Sequence, residues 1–500
     1  MESVSKRIAL CYWCLAASIF AAILIITSTV QASVWVLFSG FNGPNQWGCY
    51  GGHTSNIPGA RTEAISWIDS SDNLWLFGGY GYDMKGNSGP LNDLWKFDPS
   101  SRLWIWMSGS CIGGQLGFYG VKGIPDLRNM PAARERSISW IDNSGNLWLF
   151  GGWHGEVKQG YGIDVPLNDL WKYDPSSGLW TWVSGSNERN QPGIYGVKGV
   201  GEPNNISGAR GGSVSWIDAS GNLWLFGGYG LDWLAEDYGW LNDLWKYEPA
   251  TGLWTWMSGS DEINQAGVYW VKGSANPLNI PGAREGSISW IDSSGNLWLF
   301  GGVVWDSSYG ATWYLNDLWK YEPSSGLWTW VSGSDIANEG GSYGVKGTAG
   351  ANNVPGARNG AISWKDSTGN LWLFGGDGFD AWTRQGVLND LWKYEPSSGL
   401  WTWVSGSNHV DSSGYGVVVF IDPNNEPGAR EGSVSWIDSR GTLWLFGGGG
   451  YSVLPDGGYL NDLWKFTCDN PVGDLNDDCK VDLIDFSILC SHWLEEGRIE

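Results

Sequence analysis

Short apolar runs, each bounded by Gly, Asp, Ser or Pro, return along the chain at a fixed spacing. The fullest copy reads PGAREGSISWIDSSGNLWLFGG from Pro281, then a variable stretch, then YLNDLWKYEPSSGLWTWVSG to Gly333. Its Ala-Arg pair recurs at Arg61, Arg134, Arg210, Arg284, Arg358 and Arg430, a period of 72 to 76 residues. A period of that size marks a repeated supersecondary unit. Within a unit, Ser-Ile-Ser-Trp-Ile, Leu-Trp-Leu-Phe, Leu-Trp-Lys-Tyr and Leu-Trp-Thr-Trp-Val are rich in aromatic and branched residues and predict four short strands. Asp-Ser-Ser-Gly-Asn joins the first two and Glu-Pro-Ser-Ser-Gly the last two, both as tight hairpin turns. The second strand is apolar on both sides of its pleat, so it needs a neighbour above and below. Four antiparallel strands with two apolar faces, repeated radially, predict a propeller blade.

Residues 34–40 (VWVLFSG) align with a fourth strand, and the sixth unit stops after Leu463-Trp464-Lys465-Phe466 without one. The expected fold class is therefore all-β: a six-bladed β-propeller over 33–467, closed by its N-terminal strand so that no edge is left exposed. The Gly-Gly doublet that closes strand two, the Asn-Asp and aromatics of strand three and the Trp of strand four resemble the kelch repeat. That repeat also builds the propeller domain of galactose oxidase. The resemblance implies a propeller scaffold and commonly a binding role. Kelch units usually run near fifty residues, whereas the excess here lies between strand four and the next strand one.

In an up-down-up-down blade, the one-two and three-four turns share one face. The two-three loops and blade-to-blade connections share the other, which we call the long-loop face. The variable stretches, Val303–Tyr314 and Ser334–Pro355 among them, are expected there, where a rigid scaffold presents binding residues. Of 39 tryptophans most occupy repeat positions, but Trp47, Trp153, Trp233, Trp240, Trp270, Trp305, Trp313 and Trp382 fall in these stretches. With Asp232 and Asp306 beside them, Trp153, Trp233, Trp240, Trp305, Trp313 and Trp382 are the candidate ligand-binding set. Indole faces with nearby carboxylates suit sugar rings, which offer C–H faces and hydroxyl donors. The bland alternative is that the loops pack on themselves. The repeated Arg is read as structural, paired with the Asp that opens strand three, as Arg284 with Asp317.

The formal charge of −23 excludes nucleic acid and anionic lipid as favoured partners. No spacing marks a catalytic metal site, although His53, His154 and His409 lie in the long-loop regions. No catalytic residue is assigned. The expected function is binding or adhesion, to carbohydrate or a cell-surface protein; the alternative is an extracellular carbohydrate-active enzyme of the glycoside hydrolase kind using loop carboxylates. Cys49 and Cys111 flank the first unit, and an inter-loop disulfide between them is one expectation.

Two end segments differ in kind. Lys6 and Arg7 precede a charge-free run from Ile8 to Ile26, and Val30-Gln31-Ala32 suits a cleavage site, so 1–32 is expected to be a secretory signal. That predicts a secreted protein with no membrane span after cleavage. From 468 to 500, Asp474, Asn476, Asp478, Asp482 and Asp485, with the carbonyl of Lys480, have calcium-loop spacing. The segment resembles one calcium-binding repeat of a type I dockerin, which implies Ca2+ and a cohesin-like docking partner. Cys479 stands where that loop carries Gly, and a single repeat is present. The pairing of Cys468, Cys479 and Cys490 is left open.

Overall fold

The computed structural model describes residues 33–41, 43–51, 56–158, 161–306, 311–414, 425–452 and 457–468. The expected signal and calcium loop, with Asp474, Asn476, Asp478, Lys480, Asp482 and Asp485, lie outside them, as does His53. Among the described residues there is no helix. Every strand pairing is antiparallel.

The second unit shows how sequence becomes sheet. Its strands Ile138–Ile141, Leu147–Lys158, Tyr161–Asp174 and Leu179–Ser184 lie in chain order across one sheet. Trp148 faces Trp140 across one pairing, and Leu149 faces Trp171 across the next. Leu147, Trp148, Leu149 and Phe150 are all buried because both faces of the sheet are covered. Trp148 and Phe150 pack with Leu223, Leu225 and Trp245 of the following unit, while Leu147 and Leu149 pack with Trp67, Trp75 and Phe77 of the preceding one. Fully burying such a side chain contributes about 1.5–3 kcal/mol, so sheet-on-sheet contact, not any single sheet, holds the molecule together.

Strand one of each unit is innermost. The Ser66 hydroxyl donates to the carbonyl of Ser435, Ser139 to Ser66, Ser215 to Ser139, Ser289 to Ser215, Ser363 to Ser289 and Ser435 to Ser363. These bonds run from unit to unit and return to the first. Sheets packed face to face about an axis lined by their first strands form a propeller. The Gly-Gly doublet is required where strand two passes the neighbouring sheet. Gly151 has φ 62, and a Cβ there would stand 2.6 Å from the Arg210 carbonyl of the next unit.

Ser33–Ser39 pairs with Gly457–Cys468, setting Trp35 opposite Phe466 and Leu37 opposite Trp464. Both Trp35 and Leu37 are buried.

The expected Arg–Asp pairs are present in all six units. Arg284 donates to both carboxylate oxygens of Asp317, at 2.7 and 2.8 Å, and also to the carbonyls of Gly282 and Gly301. Asp317 in turn accepts from the Tyr269 hydroxyl and the Trp319 indole. Both ions of each pair are almost fully buried, so each needs this complete set of partners.

Three expectations are corrected. The stretch 303–314 is largely not a loop: strands two and three continue past the Gly-Gly bulge as Leu297–Asp306 and Ala311–Glu322. Cross-strand side chains such as Val303 and Tyr314 extend the ladder there. The long blade-to-blade connections, where described, run partly along the outer edge of the next sheet. Gly201–Glu202 pairs with Thr255 and Trp254, Lys198 lies over the Trp256 ring, and the Asn205 amide donates to the Trp254 carbonyl. They cover an edge that would otherwise be open. Finally, no disulfide joins Cys49 to Cys111; Cys49 is held within its own connection by a bridge with Ile57, and the Cys111 carbonyl accepts from Met84 N–H in the turn between strands two and three.

Candidate ligand site at the mouth of the central channel

The axis encloses a channel whose lining changes along its length. Its middle is lined by first-strand serines such as Ser66 and Ser139. At the end on the long-loop face lies a cavity of about 150 Å³, lined by the residues that follow each repeated Arg: Glu63, Arg136, Gly212, Glu285, Asn359 and Gly432 among them.

Backbone geometry builds this mouth. The amide of Glu63 donates to the Gly432 carbonyl, Arg136 to Glu63, Gly212 to Arg136, Gly286 to Gly212, Gly360 to Gly286 and Gly432 to Gly360. To make this belt of bonds each residue adopts the left-handed conformation, at φ 55 for Glu63 and Arg136 and 60 to 70 for the four glycines. Glycine takes that conformation without steric cost, whereas other residues are strained in it. Two units thus accept strain and place a charged side chain at the mouth.

Charge collects around them. Arg136 Nε donates to Glu63, and its Nη1 lies 3.3 Å from Glu285. Glu135 and Glu431 stand one residue before the belt. Burial, with Glu63 and Asp164 adding repulsion, pushes the Glu135 carboxyl up to about 8. Burial, with Asp377 and Glu63, pushes Glu431 up to about 7. Burial also raises Glu285, against the pull of Arg136, and raises Asp377, against donation from the Tyr314 hydroxyl. The site therefore holds and exchanges protons near neutral pH, with one guanidinium among several carboxyls.

Aromatic rings stand on the extended strands around these acids. Tyr459 packs against Tyr80 and Tyr82, with centroids 5.8 and 6.1 Å apart. Tyr229 packs against Trp240 at 4.6 Å and stacks with Trp153 at 5.7 Å. Negative charge from Glu285 adds to burial in raising the Tyr229 hydroxyl, and Glu135 and Glu63 act likewise on Tyr459. Rings and carboxyls therefore share one field.

The residues singled out from sequence distribute unevenly. Trp240 stands at the mouth beside Tyr229. Trp153 is buried, its indole lying where a Cβ on Gly211 would reach, 2.3 Å from its Cδ1, so its large faces serve packing. Asp232 is buried and accepts from the amides of Leu234, Ala235 and Ile263, which fixes a turn. Trp233, on that turn, is exposed. Trp305 and Trp313 lie on the paired strands, opposite Thr312 and Val304, and Asp306 lies opposite Ala311. Trp382 is exposed and stacked on His409 at 4.1 Å, and Arg384 contacts both. His154 is buried, with Nδ1 2.7 Å from the Ala133 carbonyl.

Glu63, Glu135, Arg136, Glu285 and Glu431 were not singled out from sequence. The signal was a column: two residues after the repeated Arg, four units carry Gly, and the other two carry Glu63 and Arg136. No family model matches the sequence, and no curated protein matches it. Among solved structures, that of YjhT is similar, with 14% sequence identity, 82% of this chain and 95% of that one covered, and a TM-score of 0.47.

Proposed function

We propose that the chain is a six-bladed propeller, closed by its N-terminal strand, that binds carbohydrate at the channel mouth of its long-loop face. The serine bonds that return to the first unit, and the pairing of Ser33–Ser39 with the last sheet, support the ring and its closure. One observation carries the ligand reading: buried carboxyls stand beside tyrosine rings at the same mouth, Glu285 by Tyr229 and Glu135 by Tyr459, and burial raises both acids. Rings supply stacking faces for sugar C–H groups, while carboxyls and Arg136 supply acceptors and donors for hydroxyls. Trp233 and Trp382, exposed further out, are candidates for contacts with a longer chain.

The experiment is a glycan array followed by titration with the wild type and Tyr229→Ala. Binding that falls about ten-fold or more in the variant, with an unchanged melting temperature, supports the mouth; unchanged affinity places the site elsewhere. A second reading has its own support. A Glu135 carboxyl raised by burial to about 8 is a candidate general acid, and the carboxyls of Glu63 and Asp164 stand near it, as the two-carboxyl arrangement of glycoside hydrolysis requires. Release of reducing sugar from any glycan bound on the array, lost in Glu135→Gln, would convert the binding protein into an enzyme.

For the ends of the chain we propose a secreted protein whose tail binds calcium through Asp474, Asn476, Asp478, Lys480, Asp482 and Asp485. A cohesin-like partner for that tail is tested by pull-down with and without calcium.

A further inference from the structure

The other end of the channel has opposite chemistry. There a cavity of about 420 Å³ is lined by the last residues of the six first strands, with the tryptophans that precede them. Five units supply Ile68, Ile141, Ile217, Ile291 and Ile437; the remaining unit supplies Lys365. The volume lies in the range of small-molecule sites, whose walls are mostly apolar with a few placed polar groups; here those are Lys365 and six serines whose hydroxyls already donate to neighbouring carbonyls.

Lys365 is half-buried; its backbone pairs with Leu371, while its side chain makes neither a hydrogen bond nor an ion pair among the described residues. Its sequence neighbour does not serve it. The Asp366 carboxylate accepts from the amides of Thr368 and Asn370, the Asn370 side chain and the Trp372 indole. The equivalent aspartates of the other units are engaged in the same way by their own hairpins, as Asp292 is by Ser294, Asn296 and Trp298. The Lys365 side chain thus stands in a ring of isoleucines, with the carboxylate next to it in sequence already supplied with donors. Isoleucine would fill the position as it does in five sister units, so packing does not require the charge.

We propose that this cavity is a second binding site, for a small amphiphilic anion whose apolar body fills the isoleucine ring and whose carboxylate meets Lys365. The site is separate from the mouth and does not depend on the function proposed for it. The residues that would make it specific are one lysine and its apolar neighbours.

The sister units supply the control variant, Lys365→Ile, which restores the repeat and is expected to fold. Calorimetric titration of the full chain with octanoate, octan-1-ol and octylamine compares one apolar body bearing three heads. Octanoate is expected to bind about ten-fold more tightly than octan-1-ol, a difference of 1.4 kcal/mol, and octylamine more weakly than either. In Lys365→Ile the preference for octanoate over octan-1-ol should vanish while octan-1-ol binds as before. Equal affinity of wild type for octanoate and octan-1-ol overturns the proposal. So does a preference that survives in Lys365→Ile, tighter binding of octylamine, or no binding of octanoate.

Discussion

Glu63 and Arg136 each hold a left-handed backbone at φ 55, where the other units place glycine. The conformation costs a residue with a Cβ roughly 1–2 kcal/mol, and residues kept under such strain cluster at functional sites. Glu63→Gly should therefore raise stability by about 1 kcal/mol in denaturant titration and weaken glycan binding. Arg136 keeps Glu285 as a partner in that variant, so folding is not at risk from an orphaned charge. A variant that gains no stability would show that the belt tolerates the side chain without strain. The acids next to the belt predict pH dependence. Glu135 and Glu431 are raised from 4.5 to about 8 and about 7, so the folded chain retains protons that the unfolded chain releases. Their contribution is fully present below about 4.5 and is lost as pH rises through 7 and 8. Allowing for partial exposure, stability should fall by about 1–3 kcal/mol over that window. Glu135→Gln should flatten the fall; a wild-type profile that rises from pH 5 to 8 would contradict the assignment.

At the scale of the element, each sheet depends on a buried ion pair and on its neighbours' strands. Asp317 neutralises Arg284 and also accepts from Tyr269 and Trp319, so Asp317→Asn leaves a buried guanidinium without a counter-charge. A loss of about 3–5 kcal/mol is expected, against about 1 kcal/mol for Tyr269→Phe, which removes a single hydroxyl bond. Chemical denaturation separates the two; similar losses would mean that the pair is better solvated than its burial implies. The N-terminal strand makes a similar test of pairing. Trp35 and Leu37 are buried in a cluster with Phe374, Leu391 and Leu443, so deleting Ser33–Gly40 should lower the melting temperature of the whole chain. An unchanged melting curve would show that this strand is dispensable.

The whole molecule carries two chemically different ends on one axis. The mouth on the long-loop face is polar and acidic, whereas the opposite end is apolar with one lysine. Saturating the two ends with different ligands should therefore be nearly independent, because no residue lines both. Titrating octanoate with and without a bound glycan measures this directly, and a shift beyond a few-fold would reveal coupling through the sheets. For the tail, Asp474→Ala with Asp478→Ala should abolish calcium binding in calorimetry of the full chain and leave glycan binding intact. Calcium bound equally by that variant would remove the tail from consideration.

The repeat made the strands legible, because alternating Trp, Leu and Phe between Gly-bounded turns can satisfy a four-stranded sheet only by burying both faces. The pairing of Arg284 with Asp317 was legible for the same reason: both recur at fixed offsets, so strand order alone brings them together. What recurs in sequence could be read without coordinates. The connections were misjudged because their Tyr, Lys and Asn anchors act on the neighbouring unit, as Lys198 does on Trp256 and Asn205 on Trp254, and length alone suggested free loops. The mouth was missed for a deeper reason. Glu63, Glu135, Arg136, Glu285, Asp377 and Glu431 come from five units spread over most of the chain, and each is unremarked within its own repeat. Only closure of the sheets around an axis sets them side by side, where burial raises the carboxyls of Glu135, Glu285, Asp377 and Glu431. Lys365 likewise became a lone cation only when the five isoleucines of the other units were gathered into one ring around it.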